Sequence, residues 1–331
     1  MKETVGSGPR STRRGSGLVG VDDQPMVVSV VVNYRGLAAT RVCVESLLAV
    51  DYPRHSVVVV ENGSGEAEAD ALVAAMPAGV RVLRSDTNLG YGGGANVGLR
   101  WALEAGADYV WVLNNDTTVD ELSVVDLVRA MASDPSCGAA SPQIEAAVGP
   151  ESPRGVWYAG GAADLRRATT SHTLDLLESA DPLVPTGFVN GCAMFLRSRA
   201  LVETGLFWER LFLYWEDVEL SLRLREAGWH LGVAPAARIQ HAVHGSVRPA
   251  VAGYYYYRNA VVVARRHLGP RGGAQAFLAL WSRAGRRWLA CIVKGRRPWP
   301  MAETRGLAAG VISVLRGDAG ESRKAAAYDR E

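Results

Sequence analysis

Short runs of β-branched residues, separated by stretches with helical spacing, restrict this chain to a narrow set of folds. Met26–Val32 (MVVSVVV) is apolar without alternation, and Ser56–Val60 and Tyr109–Leu113 show the same pattern. Continuous apolar runs of this length are typical of strands that are buried on both faces. Between the first two runs, Leu37–Val50 places its apolar residues at helical spacing. Strands that alternate with helices in this way predict βαβ units and a mostly parallel sheet.

Polar residues follow the predicted strands at the points where the strands end. They are Asn33-Tyr34, Glu61-Asn62, Asp86-Thr87-Asn88 and Asn114-Asn115-Asp116. In open parallel sheets, ligands bind in the crevice at the carboxyl ends of the strands. The four polar groups are therefore expected to share one edge of the sheet and to form the functional site there.

The second half of the sequence is less regular. Cys192–Arg197 is typical of a strand and Ser198–Gly205 of a short helix, while Glu216–Ala227 spaces its apolar residues for burial on one helix face. From Tyr254 onward the pattern is helical, alternately basic and apolar. Residues 1–25 are rich in Gly, Ser, Arg and Thr without periodicity, which predicts a flexible tail.

Composition excludes several classes of protein. The 331 residues are 48% hydrophobic and 21% charged, which is ordinary for a globular chain and excludes a largely disordered or fibrous one. No apolar run approaches the ~18 residues that span a bilayer. The basic N-terminus is not followed by the apolar segment of a signal peptide. Four widely separated cysteines without a CxxC pair favour a reducing compartment over a disulfide or zinc scaffold.

The net charge of +2 hides an asymmetry along the chain. The stretch from Ala227 to Ala302 contains twelve Arg or Lys residues and no Asp or Glu. Such a region suits nucleic acid, anionic lipid or a phosphorylated substrate. Within it, Trp281–Arg297 interleaves tryptophan and aliphatic residues with arginine. This pattern fits either an interfacial helix on lipid or a packing helix with a solvated basic face.

Two segments near the predicted site edge could contact a phosphorylated ligand. In Leu89–Asn96 (LGYGGGAN), a glycine-rich loop would let backbone N–H groups approach an anion, although a plain strand-to-helix turn fits as well. Asp116 stands at the end of a buried strand, where a carboxylate can hold the divalent cation of a nucleoside diphosphate. It could equally form an Asx-turn or cap a helix that begins at Thr117.

Acidic and imidazole side chains further along the chain add two candidate groups. Tyr214–Asp217 (YWED) sets aromatic residues in front of two carboxylates. That arrangement can bind a sugar face and shelter a general base, or it can simply cap a helix beneath a hydrophobic lid. His241 and His244 are expected near the exit of a strand, as ligands or as structural residues.

Seven ordered motifs carry a resemblance that covers roughly residues 26–267. They are SVVVNYRG, VVVVENGS, NLGYGGGANVGL, DYVWVLNNDT, NGCAMFLRS, LFLYWEDVELSLRLREAGW and RIQHAVHGS. Together they resemble the family 2 glycosyltransferases of the GT-A fold, especially the bacterial rhamnosyl- and galactofuranosyltransferase-like branch. The resemblance implies an α/β protein with a mostly parallel, Rossmann-like central sheet flanked by helices, and a helical C-terminal extension.

The resemblance also implies a domain organisation. A catalytic domain is expected over residues 26–250, with a nucleotide-binding half over 26–120 and an acceptor half over 121–250. A flexible N-terminal tail (1–25) precedes it, and a helical, basic C-terminal region (251–331) follows it.

The resemblance assigns roles to individual residues. Asp217 matches the general base and Glu216 its supporting neighbour, while Asp116 and His241 match the residues that hold Mn²⁺ or Mg²⁺. The residues that match nucleotide-sugar contacts are Asn33, Glu61, Asn88, Gly90, Asn114 and Asn115. The residues expected beside the acceptor are Trp208, Tyr214 and Trp215.

The implied reaction is the inverting transfer of a sugar from a nucleoside diphosphate to an acceptor hydroxyl in one displacement. dTDP-rhamnose or another dTDP-deoxysugar is the favoured donor and a UDP-sugar the second choice. The acceptor is a glycolipid, a polysaccharide or a small secondary metabolite. No nucleic-acid partner is expected. The expected location is the cytoplasm, with peripheral contact at the inner face of the membrane through the C-terminal region as an option.

Two other functions stay open from the sequence. A sugar nucleotidyltransferase also uses a parallel sheet and a metal-bound nucleotide, but it needs a glycine-rich loop with Arg and Lys where this chain has Asn33-Tyr34-Arg35-Gly36. A non-catalytic nucleotide-sugar-binding protein has no reason to keep Asp116, Asp217 and His241 together. Release of a nucleoside diphosphate distinguishes an enzyme from such a binding protein.

Overall fold

The computed structural model describes residues 24–147, 155–242, 249–294 and 301–316. The expected N-terminal tail lies almost entirely outside these ranges. His244 and residues 317–331 of the expected C-terminal region lie outside them as well.

Strands and helices alternate along the first part of the chain, as the sequence predicts. The strands in the described residues are β1 (Val27–Asn33), β2 (His55–Asn62), β3 (Arg81–Ser85), β4 (Tyr109–Asn114), β5 (Thr117–Val119), β6 (Cys137–Ala146), β7 (Val156–Tyr158), β8 (Gly161–Asp164), β9 (Thr169–His172), β10 (Val184–Pro185), β11 (Ala193–Arg197) and β12 (His230–His241). The α-helices there are α1 (Leu37–Leu48), α2 (Glu66–Ala75), α3 (Gly90–Glu104), α4 (Ser123–Ser133), α5 (Ser198–Thr204), α6 (Glu216–Glu226), α7 (Pro249–Lys294) and α8 (Met301–Leu315).

One central sheet contains ten of the strands within the described ranges, in the order β10-β12-β6-β11-β4-β1-β2-β3, with β5 paired to β12 and β7 to β6. The first four strands are parallel to one another, and β12 is parallel to β6. Strand β11 is antiparallel to both of its neighbours, β4 and β6. The mostly parallel central sheet expected from the sequence is therefore confirmed.

The apolar runs form strands because both faces of the sheet are covered. Val31 and Val59 pack into a core on one face, while Val30 and Val58 pack into a second core on the other face. All four side chains are fully buried. Burying one such side chain contributes about 1.5–3 kcal/mol, so a strand of this kind is stable only with helices on both sides.

The glycine-rich segment differs from the sequence expectation. The four glycines of Leu89–Asn96, which were expected in a loop, all lie in the first turns of α3. A Cβ atom on Gly98, further along the same helix, would lie 2.3 Å from Val30 Cγ1, and one on Gly94 would lie 2.9 Å from the Asn62 side chain. The glycines of α3 therefore allow the helix to pack directly against β1 and β2.

The conformation of the segment after Asp116 excludes one of the roles considered for that residue, the capping of a helix. The segment that begins at Thr117 is a strand that pairs with β12, with Thr117 opposite His241. Asp116 therefore does not cap a helix.

The two C-terminal helices pack against the hydrophobic core and against each other. The first half of α7 buries Ala260–Ala264 in the core. The helical conformation of α7 is interrupted at Gly269 (φ 71°), directly before Pro270. Helix α8 lies close to α7, since a Cβ on Gly306 would lie 2.3 Å from the Tyr254 carbonyl oxygen. Among the described residues, no helix is long and apolar enough to cross a membrane.

Candidate active site

The polar groups at the strand ends lie along one edge of the sheet. In the parallel register, Asn33 stands opposite Glu61, and Val32 stands opposite Asn114. The carboxyl ends of β1, β2 and β4 are therefore neighbours, which is the arrangement predicted from the sequence.

Asn33 and Asn115 are joined through a residue that sequence reasoning missed. Asn33 Oδ1 accepts hydrogen bonds from the Thr40 hydroxyl (2.7 Å) and the Gly36 N–H (3.2 Å). Asn115 Nδ2 donates to Thr40 Oγ1 at 3.0 Å. This network fixes the turn between β1 and α1. Asn114 contributes its backbone, because its carbonyl oxygen accepts a hydrogen bond from the Thr117 hydroxyl at 2.8 Å.

The buried Glu61 carboxylate shapes the loop after β2. Its two oxygens accept hydrogen bonds from the N–H groups of Gly63 (3.2 Å) and Ser64 (2.8 Å). The Ser64 hydroxyl then accepts a hydrogen bond from the Arg35 N–H at 2.9 Å. The loops after β1 and β2 are therefore connected to each other.

Asn62 and Asn88 fix the turn that precedes α3. Asn88 Oδ1 accepts a hydrogen bond from the Gly90 N–H at 2.8 Å. Asn62 accepts one from the Leu89 N–H (3.1 Å) and donates to the Gly90 carbonyl (3.0 Å). Gly90 has a φ of 74°, and a Cβ there would lie 2.2 Å from the Phe212 carbonyl oxygen. This turn therefore requires glycine and is in direct contact with the segment that precedes α6.

Asp116 and His241 lie side by side, although they are far apart in sequence. Asp116 Oδ1 and His241 Nε2 are 3.1 Å apart, and the Ala242 N–H donates to the Asp116 carbonyl at 2.9 Å. His241 Nδ1 is buried and has no hydrogen-bond partner among the described residues. No group of three or more His, Cys, Asp or Glu residues suited to a metal occurs in the described ranges. A cation here would have these two protein ligands and would complete its shell with phosphate oxygens and water, which is common for Mg²⁺ bound with nucleotides.

The Asp217 carboxylate is held in place at the start of α6. Its Oδ2 accepts a hydrogen bond from the Gly191 N–H (2.9 Å), and its Oδ1 accepts one from the Val218 N–H (2.7 Å). Burial raises the pKa of Asp217 above its ordinary value, and these two N–H groups act in the opposite direction. A positioned carboxylate with a raised pKa is suited to accept a proton near neutral pH.

Glu216 differs from Asp217 because one of its two carboxyl oxygens accepts no hydrogen bond in the described residues. Its Oε2 is buried without a hydrogen-bond partner in the described part of the chain. Burial, together with the charge of Asp217, raises the pKa of Glu216 to about 8. Both carboxyl groups of the pair therefore have raised pKa values, and of the two only Asp217 has both oxygens bound by backbone N–H groups.

Tyr91 and His172 are two site residues that sequence reasoning also missed. The Tyr91 hydroxyl donates to the carbonyl of Gly191, the residue whose N–H binds Asp217. Burial raises the pKa of Tyr91 far above its ordinary value, so the hydroxyl stays protonated. A lone aromatic residue within the glycine run was a signal for this position.

His172 lies near Asp217 and near the Trp157 ring that also contacts His241. Burial lowers its pKa, while the charge of Asp217 acts to raise it. The Trp157 ring lies between the two imidazoles, with its centroid 5.2 Å from that of His172 and 4.8 Å from that of His241. His172 therefore interacts electrostatically with Asp217 and shares the Trp157 ring as a neighbour with His241.

The three aromatic residues expected beside the acceptor contact the C-terminal helix. Trp215 is buried and packs on Tyr256 at 5.5 Å between ring centroids, and Tyr214 meets the same ring at 6.5 Å. The Arg266 guanidinium lies 4.2 Å from the centroid of the Trp208 ring. Their part in acceptor binding stays a prediction.

Comparisons with known proteins show which families and folds this chain resembles. The family model described as "Glycosyltransferase like family 2" matches residues 25–255. The chain is 29% identical over 266 residues to N-acetylglucosaminyl-diphospho-decaprenol L-rhamnosyltransferase of Mycobacterium tuberculosis. This match covers 70% of this chain and 78% of that protein. It is 31% identical over 193 residues to the galactofuranosyltransferase GlfT1 of the same species, which covers 57% of this chain and 60% of the relative.

Two solved structures share the fold. One is GalNAc-T7 with UDP, GalNAc and Mn²⁺, with a TM-score of 0.55 and 16% identity; the match covers 76% of this chain and 54% of the other. The second is the mannosyltransferase PcManGT from Pyrobaculum calidifontis in complex with GDP-Man and Mn²⁺, with a TM-score of 0.51 and 16% identity. That match covers 88% of this chain and 87% of the other.

Proposed function

The chain belongs to glycosyltransferase family 2 and has the GT-A fold, and from this premise we propose that it transfers a sugar from a nucleoside diphosphate to an acceptor hydroxyl with inversion. The observation that carries the proposal is the Asp217 carboxylate, held by two backbone N–H groups at the start of α6. In this proposal residues 26–120 bind the nucleotide and residues 121–250 bind the acceptor.

The reaction follows from the roles of these groups. Asp217 accepts the proton of the acceptor hydroxyl while the acceptor oxygen forms a bond to C1 of the sugar. The bond between C1 and the diphosphate oxygen breaks, and its electron pair leaves with the nucleoside diphosphate. Because the acceptor attacks from the face opposite the leaving group, the anomeric configuration is inverted. Glu216 is assigned the role of supporting neighbour of the base, as the family resemblance implies.

The nucleotide-sugar contacts are assigned to the strand-end edge. Asn33, Glu61 and Asn88 fix the backbone of three adjacent loops through their own hydrogen bonds. Asn114 and Asn115 belong to the same edge, and Gly90 lets the chain turn there without a side chain. A rigid, polar edge of this kind is suited to the polar parts of a nucleotide and its sugar.

The divalent cation, Mn²⁺ or Mg²⁺, is assigned to Asp116 and His241, whose donor atoms are adjacent and of suitable type. When bound, it neutralises negative charge on the leaving diphosphate. The similarity to a rhamnosyltransferase favours dTDP-rhamnose or another dTDP-deoxysugar as donor, with a UDP-sugar second. The acceptor is a glycolipid, polysaccharide or secondary metabolite.

A thermal-shift panel of dTDP-, UDP- and GDP-sugars, with Mn²⁺ or with excess EDTA, tests the donor and the cation together. We expect the largest stabilisation with a dTDP-sugar and Mn²⁺, about 2.7 kcal/mol at a ligand concentration 100 times Kd. Asp116→Asn is expected to remove the increment that depends on Mn²⁺. Asp70→Asn, which removes an exposed carboxylate that pairs with Arg84, is the matched control and should keep it.

Each arm of that panel can contradict one part of the proposal. Equal shifts in Mn²⁺ and in EDTA would remove Asp116 and His241 as the cation site. Failure of every sugar nucleotide to stabilise the protein, together with no release of nucleoside diphosphate, would contradict the glycosyltransferase function itself.

The C-terminal region is assigned to peripheral contact with the inner face of the membrane. The outer face of α7 carries five apolar side chains at helical spacing, each between 55% and 72% exposed. They are Leu278, Trp281, Leu289, Ile292 and Val293. The exposed Arg271 and Arg286 lie on the same helix, in a stretch without acidic residues. An apolar stripe with tryptophan and flanking arginine is suited to the interface of an anionic bilayer.

Vesicle co-sedimentation tests the membrane contact. We expect the full chain to sediment with vesicles that contain phosphatidylglycerol and to stay in the supernatant with pure phosphatidylcholine. The double variant Trp281→Ser, Ile292→Ser should weaken lipid binding about tenfold because it removes two apolar side chains from the stripe. Val202→Ser is the matched control, since Val202 is 73% exposed but lies on α5. Equal binding by the double variant and the control would contradict the assignment.

A further inference from the structure

The segment that precedes the acidic pair has an unusual backbone. Phe212, Tyr214 and Trp215 have φ angles of 65°, 66° and 72°. They are three of the five non-glycine residues with a positive φ in the described residues. Side chains disfavour this conformation, so it persists only where the surrounding structure enforces it. The segment ends at Glu216, where α6 begins.

One buried amide on α7 enforces it. Asn259 Nδ2 lies 2.8 Å from each of the carbonyl oxygens of Leu211, Leu213 and Tyr214. The Asn259 side chain is fully buried. Its two N–H hydrogens are therefore shared among three carbonyl groups of the strained segment.

The neighbouring arginine fixes the orientation of that amide. Arg258 Nη1 donates to Asn259 Oδ1 at 2.7 Å and to the Arg210 carbonyl at 3.1 Å. Because a guanidinium can only donate, Oδ1 must face Arg258, and the amide nitrogen must face the segment. Arg258 is buried almost as completely as its neighbour. The two residues therefore hold residues 210–214 as a unit.

The same segment contacts the turn assigned to the donor. The Tyr91 N–H donates to the Phe212 carbonyl at 2.7 Å, and the Phe212 ring stacks on Tyr255 of α7 at 5.0 Å. A displacement of the segment would therefore move the Gly90-Tyr91 turn and the start of α6 together.

We propose that Arg258 and Asn259 are positioning residues for the transfer reaction: they hold residues 210–215 so that Asp217 and the Gly90-Tyr91 turn stay aligned with each other. The proposal rests on the proposed function, because it assigns Asp217 the role of general base. Neither side chain takes part in the chemistry.

The variant Asn259→Ala tests the proposal by two independent measurements. We expect kcat to fall about 10- to 100-fold, because small displacements of catalytic groups are costly, with the KM values for donor and acceptor within about threefold of wild type. We also expect faster amide hydrogen exchange in peptides that cover residues 88–94 and 207–218. Arg258→Lys keeps the charge but loses the planar fork, and it should shift both measurements in the same direction by a smaller amount.

Gln143→Ala is the matched control. Gln143 is also fully buried. It donates to the Leu177 and Pro235 carbonyls and accepts a hydrogen bond from the Leu177 N–H. The alanine variant therefore loses a comparable set of hydrogen bonds, but at a place away from residues 210–215. We expect it to keep kcat within about threefold of wild type and to leave exchange in the two peptides unchanged.

The outcomes separate this proposal from the proposed function. Unchanged exchange in both peptides for Asn259→Ala and Arg258→Lys would overturn the positioning role, whatever the activity of the wild type. A kcat for Asn259→Ala equal to that of Gln143→Ala would overturn it as well. If wild type releases no nucleoside diphosphate with any donor, the proposed function fails, and the exchange measurement still decides whether the two residues hold the segment.

Discussion

Replacement of Asp217 by asparagine is expected to lower kcat by about 10²–10⁴-fold, the usual contribution of a general base. The amide has nearly the same shape as the carboxylate but cannot accept the proton of the acceptor hydroxyl. One of the two N–H groups, of Gly191 or of Val218, can still donate to the single carbonyl oxygen of the amide, so the fold and donor binding should be retained. Turnover with the preferred donor, together with thermal stabilisation by that donor, measures both effects.

The pH dependence of turnover gives the same prediction a second readout. The base must be ionised to act, and burial raises its pKa. We therefore expect kcat of the wild type to fall with decreasing pH, with a midpoint above the ordinary range of an aspartate. This acid limb should be absent from the residual activity of Asp217→Asn.

Glu226→Gln is the control for Asp217→Asn. It removes one carboxylate from the other end of the same helix, where the mostly exposed Glu226 side chain pairs with His267. It should keep turnover within about threefold of wild type. Near-normal turnover in Asp217→Asn would show that another group accepts the proton.

Gly90→Ala is expected to destabilise the protein strongly, although it adds only one methyl group to the site. The left-handed conformation at φ 74° costs a non-glycine residue about 1–2 kcal/mol. The new Cβ would also lie 2.2 Å from the Phe212 carbonyl oxygen and force the backbone apart, at a further cost of about 1–3 kcal/mol. We therefore expect the free energy of unfolding to fall by about 2–5 kcal/mol. Urea denaturation measures this change.

The same variant should also impair turnover, because Phe212 must move away from the Gly90-Tyr91 turn. A misplacement of about 1 Å can cost on the order of 10²-fold in kcat/KM. Gly106→Ala is the matched control, since Gly106 has a φ of 81° but a Cβ added there would have no neighbouring atom within 4 Å. It should show the conformational cost alone. Equal losses in the two variants would mean that the contact with Phe212 has no energetic weight.

The arrangement of the strand ends in the candidate site could be predicted from the sequence because its signals are local. Each apolar run gives one buried strand, and parallel pairing then sets Asn33 beside Glu61. The proximity of Asp116 and His241 also agrees with the resemblance, since β5, which follows Asp116, pairs with the end of β12 that contains His241.

Contacts made across long sequence separations could not be predicted in this way. A run of glycines has the same sequence whether the absent side chains leave space for a bound anion or for a neighbouring strand. Only the position of Val30 shows that Gly98 is needed for the close packing of α3 on β1. Asn259 gave no signal because its three partners are backbone carbonyls, which every sequence offers. His172 was missed because its hairpin has no strong periodicity and reaches the site through Trp157.

The place of Asn259 in the chain has a consequence for biosynthesis. Synthesis proceeds at about 5–20 residues per second. The strands of the central sheet, Glu216 and Asp217 therefore leave the ribosome several seconds before α7 is complete. Until Asn259 is available, nothing on α7 can bind the Leu211, Leu213 and Tyr214 carbonyls. With the positioning role proposed for Asn259, the nascent chain therefore reaches its full turnover only after the first part of α7 has emerged, later than the strands of the central sheet.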